Sequence, residues 1–90
     1  MKYRKMPVIV DVWLIQDIVD GYYELEKLDD AVEKAIEVRR IRPVLNGVYI
    51  DTLEGGIFGR LEDYLIMGVQ GEFYACKPDI FAATYEPVTP

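Results

Sequence analysis

Between Pro7 and Leu14 the chain alternates in period two, with Val8, Val10, Val12 and Leu14 on one face and Ile9, Asp11, Trp13 and Ile15 on the other. β-Branched residues in that alternation predict a strand over 7–14, covered on both sides for part of its length, with Asp11 at a rim or paired. Residues 16–24 carry no decisive pattern. Leu25, Leu28, Val32, Ala35 and Ile36 then recur at helical spacing, opposite Glu26, Asp30, Glu33 and Glu37, which predicts an amphipathic helix packed on a sheet. Asp30-Ala-Val-Glu33 fits a capping box, Arg39 and Arg40 suit the negative end of the helix dipole, and Pro43 forbids continuation. The firm part of the helix is placed at 29–40.

From Val44 onward short apolar runs alternate with glycines. Runs at 48–53, 57–61, 64–69 and 72–76 read as antiparallel strands joined by tight turns, with Gly55-Gly56 in one turn and Gly71 supplying positive φ in another. Pro78 is suited to the first position of a helical turn over 79–83, and 84–88 reads as extended because Pro87 disfavours helix before it. The combined pattern predicts an α+β fold: one small curved antiparallel sheet or partial barrel with one main helix packed on it. The two ends of the chain, 8–14 and 84–88, are expected in one sheet, with Phe73 and Phe81 in the core.

Ninety residues fit a single domain, 1–90, able to bury roughly 60–65% of its unfolded surface. No apolar run approaches the ~18 residues of a membrane span, and the basic start is followed by too few apolar residues for a signal peptide, so a cytoplasmic location is expected. A lone cysteine, Cys76, agrees with a reducing compartment. The net charge of −6 is unevenly spread: Lys2, Arg4 and Lys5 form one basic cluster and Arg39, Arg40 and Arg42 another, with nine carboxylates between them. That balance argues against direct nucleic-acid binding and leaves an acidic surface that is either a solvated face or complementary to a basic partner.

Two blocks carry a family resemblance. The first is Tyr3-Arg4-Lys5-x-Pro7-Val8 followed by Asp11. The second runs from Leu61-Glu-Asp-Tyr64 through Gly68-x-x-Gly71-Glu72 to Lys77-Pro78-Asp79-Ile80-Phe81-x-x-Thr84-Tyr85-Glu86-Pro87. Together they resemble the small phage and prophage proteins built on a PGDYG-type motif. The likeness covers about the first twelve and the last forty residues, and leaves the middle uncovered. Where that family reads Pro-Gly-Asp-Tyr this chain has Leu61-Glu62-Asp63-Tyr64, so the glycine that permits a left-handed turn is replaced. The resemblance implies a phage or prophage accessory gene expressed in a bacterial host cell, and implies no mechanism.

The chemical inventory excludes more than it suggests. There is no histidine and no serine, and the hydroxyls other than tyrosine are Thr52, Thr84 and Thr89. Serine and cysteine–histidine hydrolase mechanisms are therefore absent, no structural zinc set can be assembled, and no phosphate loop or EF-hand pattern occurs. The chain is read as a non-enzyme with no cofactor and no metal. Cys76 is a small apolar strand residue in the simpler reading and a thiol activated by Lys77 in the other. Of the seven tyrosines, Tyr49, Tyr64, Tyr74 and Tyr85 read as structural, whereas Tyr22 and Tyr23 are surface candidates.

Two functional classes remain. One is an accessory protein that binds a host or phage protein. The alternative is a small-molecule or nucleotide-binding module with a pocket between helix and sheet, using Trp13 and tyrosines for stacking and Arg39, Arg40 or Arg42 for an anion. A homodimer is expected through an edge strand at 48–53 or 64–69, or through the sheet face bearing Tyr49 and Leu53.

Overall fold

The computed structural model describes residues 1–4 and 7–88; Lys5 of the basic cluster and Thr89 lie outside the described residues. The fold is α+β, and among the described residues six strands divide into two three-stranded antiparallel sheets accompanied by three helices. The chain runs β1 (Asp11–Leu14), α1 (Ile15–Tyr23), α2 (Asp30–Glu37), β2 (Ile41–Val44), β3 (Gly47–Thr52), β4 (Gly55–Arg60), β5 (Tyr64–Met67), β6 (Phe73–Cys76) and α3 (Pro78–Thr84). One sheet has the order β1-β5-β6 and the other β2-β3-β4.

The first strand is shorter than its period-two pattern. Asp11 pairs with Met67, and beyond it β5 turns away at Gly68, whose N–H donates to the Glu72 carbonyl. Residues 7–10 therefore have no ladder partner, and Val8 and Ile9 are exposed. The far end of the chain does not join this sheet: β1 lies beside β5, and 85–88 form no strand. The expected meeting of the two termini in one sheet is thus corrected.

The start of α1 explains the silence of residues 16–24. Its N-cap, Leu14, offers no side-chain acceptor. The first free amides are satisfied across the fold, Ile15 N–H donating to the Asp63 carbonyl and Gln16 N–H to the Leu61 carbonyl, both at 3.0 Å. For α2 the cap lies one residue before the expected box: Asp29 Oδ1 accepts from Ala31 N–H, and Glu33 Oε1 accepts from Leu28 N–H.

Both helices end alike. Glu26 N–H reaches the Gly21 carbonyl and Leu25 N–H the Tyr22 carbonyl, while Arg40 N–H reaches Ala35 and Arg39 N–H reaches Ile36. These are paired Schellman closures, and the residue placed in left-handed backbone is Leu25 (φ 57) in the first and Arg39 (φ 63) in the second. Glycine is the usual occupant of that position.

Ile15, Ile18 and Val19 of α1 and Val32 and Ala35 of α2 join Ile41, Val48, Ile50, Leu65 and Phe73 in one core. Trp13 packs against its margin, its ring centroid 6.4 Å from Phe73. Gly59 allows this closeness, because a Cβ there would stand 2.5 Å from the Ile15 side chain and 3.2 Å from the Ala75 Cβ. On the other face of β1-β5-β6, α3 makes contact through the Phe81 ring. Phe81 stacks on Tyr64 with centroids 4.1 Å apart and on Tyr85 at 5.2 Å, and the Tyr74 and Tyr85 hydroxyls are hydrogen-bonded at 3.0 Å. Phe73 is buried as expected, whereas Phe81 is half-buried in this ring stack outside the main cluster.

Sheet order also corrects the expected dimer edges. The runs 48–53 and 64–69 contain β3 and β5, and each is the centre of its sheet with a ladder on both sides. Neither has a free edge. The outer face of β2-β3-β4 remains open: Arg42, Tyr49 and Phe58 align across the three strands, with Tyr49 and Phe58 centroids 4.9 Å apart and the Arg42 guanidinium 5.3 Å from the Tyr49 ring.

Candidate functional site

The six residues singled out from the sequence do not converge. Tyr22 and Tyr23 stand on the last turn of α1, 40% and 48% exposed, with their rings edge-to-face at 5.2 Å. Trp13 lines a depression at the base of the same helix. The three arginines point to separate tasks. Arg39 is the left-handed residue closing α2. Arg40 donates from its guanidinium to the Gly71 carbonyl at 2.9 Å and lies 5.1 Å from the Phe73 ring centroid, which ties the end of α2 to the β5–β6 hairpin. Arg42 belongs to the open face of β2-β3-β4. None of the three lines either groove described below.

Those grooves meet at the corner where α1 passes into α2. One, of about 220 Å³, is lined by Trp13, Ile18, Leu28 and Val32, with Asp17, Glu26, Asp29 and the cation of Lys27 around it. Another, of about 320 Å³, lies between Tyr22, Leu25, Leu28 and Ile36, with Glu26 and Glu33 at its margin. Leu28 and Glu26 belong to both. Leu25 is 92% exposed although its backbone is fixed by the Schellman closure. Sequence periodicity put Leu25 on the buried face of a helix; in the fold it is the exposed apolar residue of a helix end. The loop it occupies, residues 24–29, separates α1 from α2.

The corner is strongly acidic. Residues 17–33 carry seven carboxylates and one lysine, Lys27. That lysine is engaged by Asp30 at 3.1 Å and Glu33 at 3.5 Å, and these partners raise its pKa, Asp30 contributing most. The Glu24 carboxyl is held above its ordinary value by hydrogen bonding to the Glu26 carboxylate and repulsion from its charge, with smaller effects from burial and Asp20.

Elsewhere, Asp63 is the one buried charged residue among those described, 5% exposed. Its Oδ2 accepts from Arg60 N–H at 3.0 Å and its own N–H donates to the Arg60 carbonyl. This closes the turn at 61–64 without left-handed backbone at Glu62, so the glycine of the resembling motif is not required here. Its role is structural, since the same turn caps α1. Burial pushes the Cys76 thiol above its ordinary pKa, with Asp63 and Asp79 adding, so the thiol is less activated than a free one. Among the described residues no cluster of three potential metal ligands occurs, and no helix is long and apolar enough to cross a membrane. Searches against protein-family models, curated proteins and solved structures gave no match to the chain.

Proposed function

We propose that this chain is a phage or prophage accessory protein that acts without catalysis, by binding a protein of the phage or its host in the bacterial cytoplasm. The observation that carries the binding reading is the α1–α2 corner, where Tyr22, Tyr23 and Leu25 are held out on a closed, hydrogen-bonded helix end beside an apolar groove. Exposed aromatic and aliphatic residues on a fixed backbone lose little conformational entropy on association, which favours their use as contacts. The phage origin rests on the resemblance of the two terminal blocks. The divergence of Arg39, Arg40 and Arg42 weighs against the alternative of a nucleotide pocket, because none of them lines the groove of Trp13 and the lysine that does, Lys27, is already paired with Asp30 and Glu33.

A photo-crosslinking amino acid at Tyr23, expressed in bacteria with and without phage infection, tests the reading. One discrete crosslinked protein is expected, lost when Tyr22 and Leu25 are changed to Ala and Gly. A thermal shift of several degrees with a nucleotide, and no discrete crosslink, would reverse it in favour of the small-molecule module.

A further inference from the structure

Resting on the protein-binding reading, we infer that the α1–α2 corner accepts a cationic amphipathic segment of its partner, with an apolar side chain entering beside Leu28 and lysine or arginine side chains lying on the carboxylate rim. Three observations converge on that occupant. The first is shape. The two grooves share Leu28 and Glu26, so the 24–29 loop carries two adjacent hollows, each with apolar lining. Each lobe is at or below the lower end of the 300–1,000 Å³ range of drug-sized sites, roughly the scale of one or two side chains. A polypeptide segment that lays successive side chains into neighbouring hollows matches this better than a compact ligand.

The second is charge. Asp17, Glu26, Asp29 and Glu33 stand at the margins of the grooves, and Lys27, which also lines the first, is already paired with Asp30 and Glu33 of α2. Cations supplied from outside would relieve the mutual repulsion that Glu24 and Glu26 exhibit, and charge complementarity of this kind selects partners and speeds encounter. It also disfavours corner-to-corner pairing of two copies, which would face carboxylates against carboxylates. The third is strain. Leu25 occupies left-handed backbone where glycine would be unstrained, and it directs its side chain to solvent at the mouth of the second groove. The fold thus keeps a costly apolar residue where a partner would cover it.

The test uses the isotope-labelled full chain and a short amphipathic leucine/lysine peptide, compared with its leucine/glutamate counterpart and with free lysine. The lysine peptide is expected to shift amides of residues 21–28 and 32–36, to weaken severalfold as salt rises, and to lose about tenfold in affinity in Leu25→Gly and again in Glu24→Gln/Glu26→Gln. Leu25→Gly relieves backbone strain, so it preserves the fold. Shifts scattered over carboxylates across the whole surface, equal binding of the glutamate peptide, or indifference to both variants would overturn the inference. So would self-association through this corner, seen as concentration-dependent shifts without peptide. If the crosslink at Tyr23 persists in Glu24→Gln/Glu26→Gln, the binding reading stands and the cationic partner falls; if no protein crosslinks at Tyr23, the binding reading itself falls.

Discussion

The Arg40 guanidinium and the Gly71 carbonyl, thirty-one positions apart in the chain, are joined by a 2.9 Å hydrogen bond that fastens the end of α2 to the tip of the β5–β6 hairpin. The same guanidinium rests near the Phe73 ring. Both contacts are solvent-accessible, so Arg40→Ala should cost about 1–2 kcal/mol in urea unfolding, and Arg40→Lys should recover less than half because an ammonium loses the planar stacking. Full recovery by lysine would show that charge alone matters there.

Glycine at the two helix ends should stabilise the fold. Leu25→Gly and Arg39→Gly each remove the left-handed strain of a side-chain-bearing residue, about 1–2 kcal/mol, against the extra freedom glycine gives the unfolded chain, about 0.4–1 kcal/mol. A net gain of roughly 0.5–1 kcal/mol is expected for each, and additivity for the pair, since they close different helices. Destabilisation at Leu25 would mean that its side chain contributes more to the folded state than its 92% exposure implies.

Gly59→Ala should be destabilising, by about 1–3 kcal/mol, because the added methyl meets both the Ile15 side chain and the Ala75 Cβ. Thermal unfolding of the variant beside Gly56→Ala, where a Cβ meets nothing within 4 Å, provides the comparison. Equal melting temperatures would remove the case for close approach of β4 to β6 and α1.

Tyr74 supplies a pH signature. Burial, followed by its hydrogen bond to Tyr85, raises its pKa above the usual 10.0. The folded protein therefore holds the phenol proton more tightly than the unfolded chain, so this contribution is complete below about pH 10 and is lost as pH rises through the elevated folded value. Tyrosinate absorbance should show Tyr74 ionising above the usual 10.0, and Tyr74→Phe should flatten the alkaline fall in stability. An unchanged alkaline profile in that variant would place the effect elsewhere.

Cys76 should react slowly. With its thiol pKa raised by burial, its thiolate fraction at neutral pH is below that of an unfolded chain, and a chromogenic disulfide reagent should label it faster in denaturing urea than in buffer. Labelling that is faster in the folded state would revive the activated-thiol reading beside Lys77.

What the sequence made legible follows from where each element finds its partners. The helix over 30–37 and the hairpin at Gly71 (φ 80) carry their own caps and turn residues, so local pattern located both. Helix α1 was invisible because its amide partners are the carbonyls of Leu61 and Asp63, more than forty residues downstream. β2 was missed for a related reason: Pro43 reads as a terminator, yet in the structure it sits in an edge strand, where a missing N–H can be tolerated. In the candidate site, Tyr22 and Tyr23 stand outside the core pattern, whereas Leu25 is hidden by a helical period that begins in the loop, at Leu25 and Leu28, before α2 starts at Asp30. The clustering of Arg39, Arg40 and Arg42 in sequence suggested one anion site, but a helix closure followed by a strand sends them to different surfaces.

The sheet order β1-β5-β6 has a kinetic consequence. The meander of β2, β3 and β4 and the β5–β6 hairpin each pair neighbours in the chain, and such hairpins form in about 1–10 μs. Pairing Leu14 with Tyr64 instead closes a loop of about fifty residues, at an entropic cost of roughly 3.5 kcal/mol. The search of β1 for β5 is then the slow encounter in refolding. Until it succeeds, the amides of Ile15 and Gln16 lack their acceptors, α1 is uncapped, and the inner faces of both sheets stand open to water and to other chains. The time the nascent chain spends at risk of aggregation is set by one long-range meeting and not by the stability of its hairpins.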